Sequence, residues 1–313
     1  MSYFLKANVI FGMLLFALIL SSCGNHQSSK SENEKLRVLS SFSIISDMVQ
    51  TIGKDKVEVH NLVPVGMKPH EHQPKPDDVK FATHADIIIY NGLNLEGGEH
   101  GWLMKLAHSV KMPKDRIFVA AQGVKPIYFN DEKGVKEVNP HAFISPIVGI
   151  KMAENIRNAL ITADKKNKTY YEENAKEYID RLRAIDAEYR NKIAEIPEQN
   201  RVLFASELAF QYMTREYGLK EGFIWAIDTD KNGTPDQIKS AISFIKTYHP
   251  PTLFVESNVD RRPMETVSRE TGVPIYKHPI LSDELGRIGQ NGDTYIKFLT
   301  YNLEVIYDGL KDQ

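Results

Sequence analysis

The chain has 313 residues, 42% of them hydrophobic and 26% charged, with a formal charge of −2. That length supports two cores of roughly 100 to 150 residues each. The near-neutral balance, which becomes −3 once residues 1–22 with their single Lys are set aside, excludes the basic footprint of a nucleic-acid binder.

After Lys6, residues 7–20 form an uncharged apolar run, too short for a spanning helix of about 20 residues but matching a signal-peptide core. Residues 1–22 therefore read as an export signal. The run ends in Leu20-Ser21-Ser22-Cys23, which resembles the bacterial lipobox, where the Cys is lipid-modified and becomes the first mature residue. Cys23 is the only cysteine, so it has no disulfide partner, and a lipid thioether accounts for one thiol in an exported chain. A plain secretory signal with a chance Cys near its cleavage point is the alternative. Residues 24–35 carry no apolar side chain, which makes 23–35 a flexible lipid-anchored tether and starts the folded part near Leu36.

From Leu36 onward strand-like apolar runs at 37–40, 57–63 and 86–90 alternate with helical patterns such as 44–52. The alternation argues for parallel βαβ units, and it resumes with apolar runs at 202–205, 223–226, 253–255 and 273–276. The expected fold class is α/β, with two Rossmann-like lobes at 36–165 and 198–313. Between them, over 166–197, Tyr171, Ala175, Tyr178, Leu182, Ile185, Tyr189, Ile193 and Ile196 recur at spacings of three or four, one stripe of an amphipathic helix that stops at Pro197. A helix of about 30 residues runs about 45 Å, long enough for a stiff spine joining both lobes. A solvent-exposed coiled-coil arm is the alternative.

His70 lies in a loop bracketed by Pro64, Pro69, Pro74 and Pro76, just after the 57–63 strand, where open α/β sheets place their ligands. His72 competes with it, since residues two apart in an extended loop face the same way. The pair is not the His-Glu-x-x-His helix of zinc proteases, being two apart between prolines. His141 follows Pro140 in a constrained turn, Glu207 closes an apolar strand, and Asp293 precedes the apolar start of a helix. Each also has a structural reading: a core histidine satisfied by a carbonyl, a carboxylate at a helix start, and a helix cap. Together, two imidazoles from one half and two carboxylates from the other would cage a divalent metal between lobes. Nitrogen and oxygen donors in equal number suit an intermediate first-row ion such as Mn(II) or Fe(II), whereas added thiolates, absent here, would favour Zn(II) or Cu(I).

Further strings extend the pattern: Val-Pro-Val-Gly-x-x-Pro-His at 63–70, Asn-Pro-His at 139–141, Ser-Glu-x-Ala-Phe at 206–210, Thr-Pro-Asp-Gln-Ile at 234–238, Leu-Phe-Val-Glu-Ser at 253–257 and Gly-Asp-Thr-Tyr at 292–295. With the lipobox they resemble the manganese-type metal-binding lipoproteins of ABC importers, over essentially the whole mature chain. The resemblance implies His70, His141, Glu207 and Asp293 as metal ligands in an inter-lobe cleft, and leaves His72 out. Zinc-type relatives carry a histidine where Glu207 stands and a long His- and acid-rich loop after the first ligand. Here residues 73–83 hold no His and only Asp77 and Asp78.

The implied cargo is therefore Mn(II), with Fe(II) and Zn(II) as alternatives, and the implied partners are an ABC permease and its ATPase. A lipid on Cys23 would hold the protein at the extracellular face of the cell membrane. Binding needs neutral imidazoles, so affinity is expected to fall below roughly pH 6.5. A cage with every position filled by protein leaves no vacancy for a reactive water, which argues against an enzyme. The competing classes are a metal-dependent hydrolase using His70, His72 and Asp293 with Glu207 as base, and a surface adhesin. Two other signals are discounted: residues 228–233 mimic an EF-hand start but put Lys239 where a bidentate Glu is required, and 94–100 lack P-loop spacing. Glu256, ending an apolar strand, is expected to accept a hydrogen bond from a ligand imidazole.

Overall fold

The structure, a computed structural model, describes residues 34–130, 134–227 and 232–311. The expected signal segment, Cys23 and the tether up to residue 33 lie outside the described residues, as do positions 228–231 of the EF-hand-like string. All described residues except Glu34 belong to one compact unit, Lys35–Gln313.

The first half is a parallel sheet of β1 (Leu36–Phe42), β2 (Val57–Val63), β3 (Ile87–Tyr90) and β4 (Ile117–Val119), in the order β2-β1-β3-β4. In α1 (Ser43–Gly53), Ile44, Ile45, Met48, Val49 and Ile52 are buried at helical spacing, so one stripe packs on the sheet. Helices α2 (Pro76–His84) and α3 (Trp102–Ser109), with the antiparallel hairpin β5 (Tyr128–Asn130) and β6 (Lys136–Val138), complete the connections up to α4 (Pro146–Ala163).

The expected spine is α5 (Lys168–Glu195), 28 residues and so about 42 Å long at 1.5 Å per residue. Tyr171, Ala175, Tyr178, Ile179, Leu182, Ile185, Tyr189 and Ile193 are all buried along it, which sets aside the solvent-exposed arm. It ends before Pro197, where Ile196 turns extended at ψ 130° because proline crowds a preceding helical residue.

The second half pairs β7 (Val202–Phe204) in parallel with β8 (Lys220–Gly222), and Phe254 N–H adds a third segment by donating to Phe204 O at 2.8 Å. Helices α6 (Gln211–Tyr217), α7 (Pro235–Tyr248) and α8 (Arg262–Thr271) flank it, and α9 (Tyr295–Lys311) closes the chain. Three expected strands differ from what is observed. Residues 223–226 supply only the bridge Glu207 to Trp225, the ladder lying just upstream in β8, and 253–255 with 273–276 make isolated bridges. Pro251, Pro274 and Pro279 remove the N–H groups that a regular ladder needs there.

The halves are fastened at several points. Tyr295 N–H donates to Asp47 Oδ2 on α1 at 2.9 Å, and its hydroxyl donates to Phe143 O at 2.5 Å. Leu285 N–H donates to Ser43 Oγ at 3.1 Å, and Glu284 accepts from Gly66 N–H. Among the described residues no helix is long and apolar enough to cross a membrane.

Candidate metal centre

His70, His141, Glu207 and Asp283 each bring one ligand atom to a common point, all four atoms lying within 4.8 Å of one another. His141 Nε2 stands 3.1 Å from Asp283 Oδ1, 3.6 Å from Glu207 Oε1 and 3.3 Å from His70 Nε2. His70 Nε2 is 3.8 Å from Asp283 Oδ2 and 3.9 Å from Glu207 Oε1. Ligand bonds of about 2.1 Å put neighbouring donors about 3.0 to 3.4 Å apart in octahedral or tetrahedral arrangements, so the cluster needs little contraction to grip an ion. The side chains of His141, Glu207 and Asp283 are fully buried, while His70 keeps 9% exposure and lines a groove of about 720 Å³ with Glu71, Trp102 and Lys105.

Each donor is placed by its backbone. His70 follows β2 through a turn in which Met67 N–H donates to Pro64 O, a turn that Gly66 permits at φ +92°. His141 opens a short 3-10 turn ahead of α4, and Asn139 Oδ1 accepts both its backbone N–H at 3.0 Å and its ring Nδ1–H at 2.9 Å. Since an amide oxygen only accepts, Nδ1 carries a proton, and Nε2 is the ring nitrogen that faces the centre. Glu207 ends the second-half sheet, where Glu256 accepts its N–H at 2.8 Å and that of Ser206 at 3.2 Å. Asp283 follows the bridge between Glu256 and Ile280, and buried Asn302 on α9 clamps Leu281 by accepting its N–H at 2.9 Å and donating to its carbonyl at 2.8 Å.

The electrostatics favour a cation. Burial pushes the His70 imidazole down to about 4, so it is neutral at pH 7. For Asp283, burial acts to raise the carboxyl, but positive charge drawn to the facing His141 edge, then to His70, outweighs it and holds the group below its ordinary value. With the ligating ring nitrogens stripped of protons to bind an ion, two imidazoles and two carboxylates would present two negative charges that a dication cancels.

Of the expected ligands, the structure brings together His70, His141 and Glu207 and leaves Asp293 out. Asp293 is occupied elsewhere: one oxygen accepts from Gly289 N–H at 2.9 Å, the other pairs with Lys297 Nζ at 2.7 Å, and these contacts hold its carboxyl below the usual range. Its place in the cluster is taken by Asp283. The overlooked signal is an internal echo: Ala205-Ser206-Glu207 and Leu281-Ser282-Asp283 are both an apolar run, a serine and an acid at the end of a sheet segment. His72 packs edge-on against Trp102, with ring centroids 5.1 Å apart, and does not join the cluster. Glu256 serves backbone N–H groups rather than a ligand imidazole, and burial pushes its carboxyl up to about 7.

Residues 38–309 match the ZnuA family, described as the periplasmic component A of the zinc-uptake complex. The manganese ABC transporter substrate-binding lipoprotein PsaA of Streptococcus mitis is 39% identical over 306 residues, covering 97% of this chain and 99% of that protein. The iron ABC transporter substrate-binding lipoprotein MtsA of Streptococcus pyogenes is also 39% identical, covering 97% and 98%. Among solved structures, a Mn-bound periplasmic metal binding protein from Candidatus Liberibacter asiaticus matches with a TM-score of 0.78 at 30% identity, covering 88% of this chain and 100% of that one. The periplasmic zinc binding protein TroA from Treponema pallidum, with a TM-score of 0.80 at 22% identity, bears on the fold alone: an α/β architecture with parallel sheets and a long helix. A metal-binding site, an α/β fold with parallel sheets and a long helix, and a match spanning nearly the whole folded chain agree: the protein belongs to the ZnuA family of periplasmic metal-uptake binding proteins.

Proposed function

We propose that the protein is an extracytoplasmic, lipid-anchored solute-binding protein that captures Mn(II) through His70, His141, Glu207 and Asp283 and delivers it to an ABC permease for import. It works as the binding component of a transporter, with a permease and ATPase as partners, and not as an enzyme. On this reading residues 1–22 are a signal, 23–35 a tether carried by a lipid on Cys23, 36–165 and 198–313 the lobes, and 166–197 the linking helix. The carrying observation is the convergence of two imidazoles from the first half and two carboxylates from the second, within 4.8 Å. A hydrolase built on His72 and Asp293 is not supported, because neither residue joins that cluster.

Mn(II) is favoured over Zn(II) by the second carboxylate. Each acid can offer two oxygens, lifting the coordination number above the four typical of zinc, and Glu207 stands where an imidazole would give a more zinc-like set. Zinc outbinds manganese at most such sites, so preference rests on geometry and supply. Native metal analysis with Mn(II)/Zn(II) competition on the wild type and Glu207→His tests this reading. The wild type should hold one Mn(II) and Glu207→His should shift toward Zn(II); an unchanged preference removes the basis for manganese.

A further inference from the structure

We infer that Asn139 is a positioning residue that keeps His141 Nε2 free of its proton and couples the two halves of the metal centre, an inference that rests on the cluster being the metal site. Asn139 is fully buried and all its amide capacity is used. Its Oδ1 accepts from His141 N at 3.0 Å and from His141 Nδ1 at 2.9 Å; its Nδ2 donates to Leu208 O at 2.7 Å and Gln211 Oε1 at 3.0 Å. The orientation is fixed by these partners, since exchanging oxygen and nitrogen would set N–H against N–H at His141 and oxygen against oxygen at Leu208.

The first consequence concerns the ring. His141 Nε2 faces Asp283 Oδ1 at 3.1 Å and Glu207 Oε1 at 3.6 Å, and a proton on Nε2 would be drawn into a hydrogen bond with Asp283 that closes the site to an ion. Asn139 offers the competing acceptor on the other edge of the ring and holds the proton on Nδ1. The second concerns the lobes. Leu208 directly follows Glu207, so one side chain reaches from a ligand of the first half to the backbone carrying a ligand of the second. Tyr212 strengthens the link by donating its hydroxyl proton to Asn139 O at 2.9 Å while accepting from Ile127 N–H at 2.9 Å. Movement that separates Leu208 from Asn139 therefore loosens the restraint on His141 at the same time.

The test uses the whole folded protein, with 15N-labelled histidine in the metal-free form and a chelator chase of Mn(II) from the loaded form. Wild type should show His141 protonated on Nδ1. Asn139→Leu should move the proton to Nε2 and speed Mn(II) release by about 10- to 100-fold. Asn139→Asp should keep the Nδ1 proton but still release faster, having lost the donors to Leu208 and Gln211. Gln211→Ala, at a partly exposed residue, should give a smaller increase with the tautomer unchanged, and it carries the test should Asn139→Leu fail to fold. An Asn139→Leu or Asn139→Asp protein releasing Mn(II) within about twofold of wild type, or an Nε2 proton in the wild type, overturns the inference. Wild type that never retains Mn(II) would refute the proposed function instead, and the histidine spectra would still decide the tautomer.

Discussion

His141 Nε2 and Asp283 Oδ1 stand 3.1 Å apart with both side chains fully buried, one from the turn ahead of α4 and the other from the loop after Ile280. This contact makes Asp283, and not Asp293, the fourth corner of the centre. Asp283→Ala should weaken Mn(II) binding by at least about 100-fold, beyond the loss typical of a ligand's supporting partners. Asp293→Ala should leave affinity within about threefold, as expected for an acid whose partner is an exposed lysine. Equilibrium competition binding on the two variants checks both, and the opposite ranking would restore Asp293 to the site.

Much of this was legible in the chain. The stripe from Tyr171 to Ile193 marks the spine because one helix face carries its apolar residues at a regular spacing, and the inner strands β1 and β3 are legible as runs buried on both faces, while β2 is an edge strand with Glu58 exposed. His70 and His141 stood out because prolines stiffen the loops that hold them. The second-half sheet was harder to read, since Pro274 and Pro279 break it into single bridges, and a strand placed at 273–276 stops short of Ile280. Asp283 therefore follows a segment with no strand signature, while the acid of Gly-Asp-Thr-Tyr pins a turn through Gly289 and Lys297. Asn139 carries no signal beyond its string, because Leu208 and Gln211 reach its amide only through tertiary structure.

Acid should weaken the metal-free protein through His70. Its imidazole sits at about 4 in the folded chain against an ordinary 6.5, so between these values the unfolded chain binds more protons and stability falls with pH. The loss begins near pH 6.5, is complete below about 4, and amounts to about 3 kcal/mol. Asp47, Glu96, Glu221 and Glu256, raised by burial to about 6, 7, 8 and 7, act in the opposite direction and shape the total profile. The difference between wild type and His70→Gln in urea unfolding at pH 7.5, 5.5 and 4 isolates the histidine. It should shift in favour of the variant on acidification; a constant difference contradicts a desolvated His70.

Glu256 should matter to the centre without touching the ion. In Glu256→Ala, the buried N–H groups of Ser206 and Glu207 lose their acceptor, at roughly 1 to 3 kcal/mol each. Unfolding free energy should drop by about 2 to 5 kcal/mol, and Mn(II) affinity should fall because Glu207 loses its anchor. Glu256→Gln keeps one oxygen for these donors and should lose less on both measures. Equal behaviour of the two variants in urea unfolding and metal titration would contradict this role.

The spine should behave as core. Leu182 and Ile193 are buried on α5, so Leu182→Ala or Ile193→Ala should each cost about 2 to 5 kcal/mol, whereas Glu177→Ala on the exposed face should change stability by less than about 0.5 kcal/mol. Thermal or urea unfolding separates these outcomes, and uniformly small effects would make α5 a peripheral arm.

The most direct test is a crystal of the full folded chain grown with Mn(II), with the ion located by its anomalous scattering. The expected result is a single strong peak bonded to His70 Nε2, His141 Nε2, a Glu207 oxygen and an Asp283 oxygen, with Asp293 still paired to Lys297. A peak elsewhere, or one that recruits His72 or Asp293 in place of Asp283, would contradict the account.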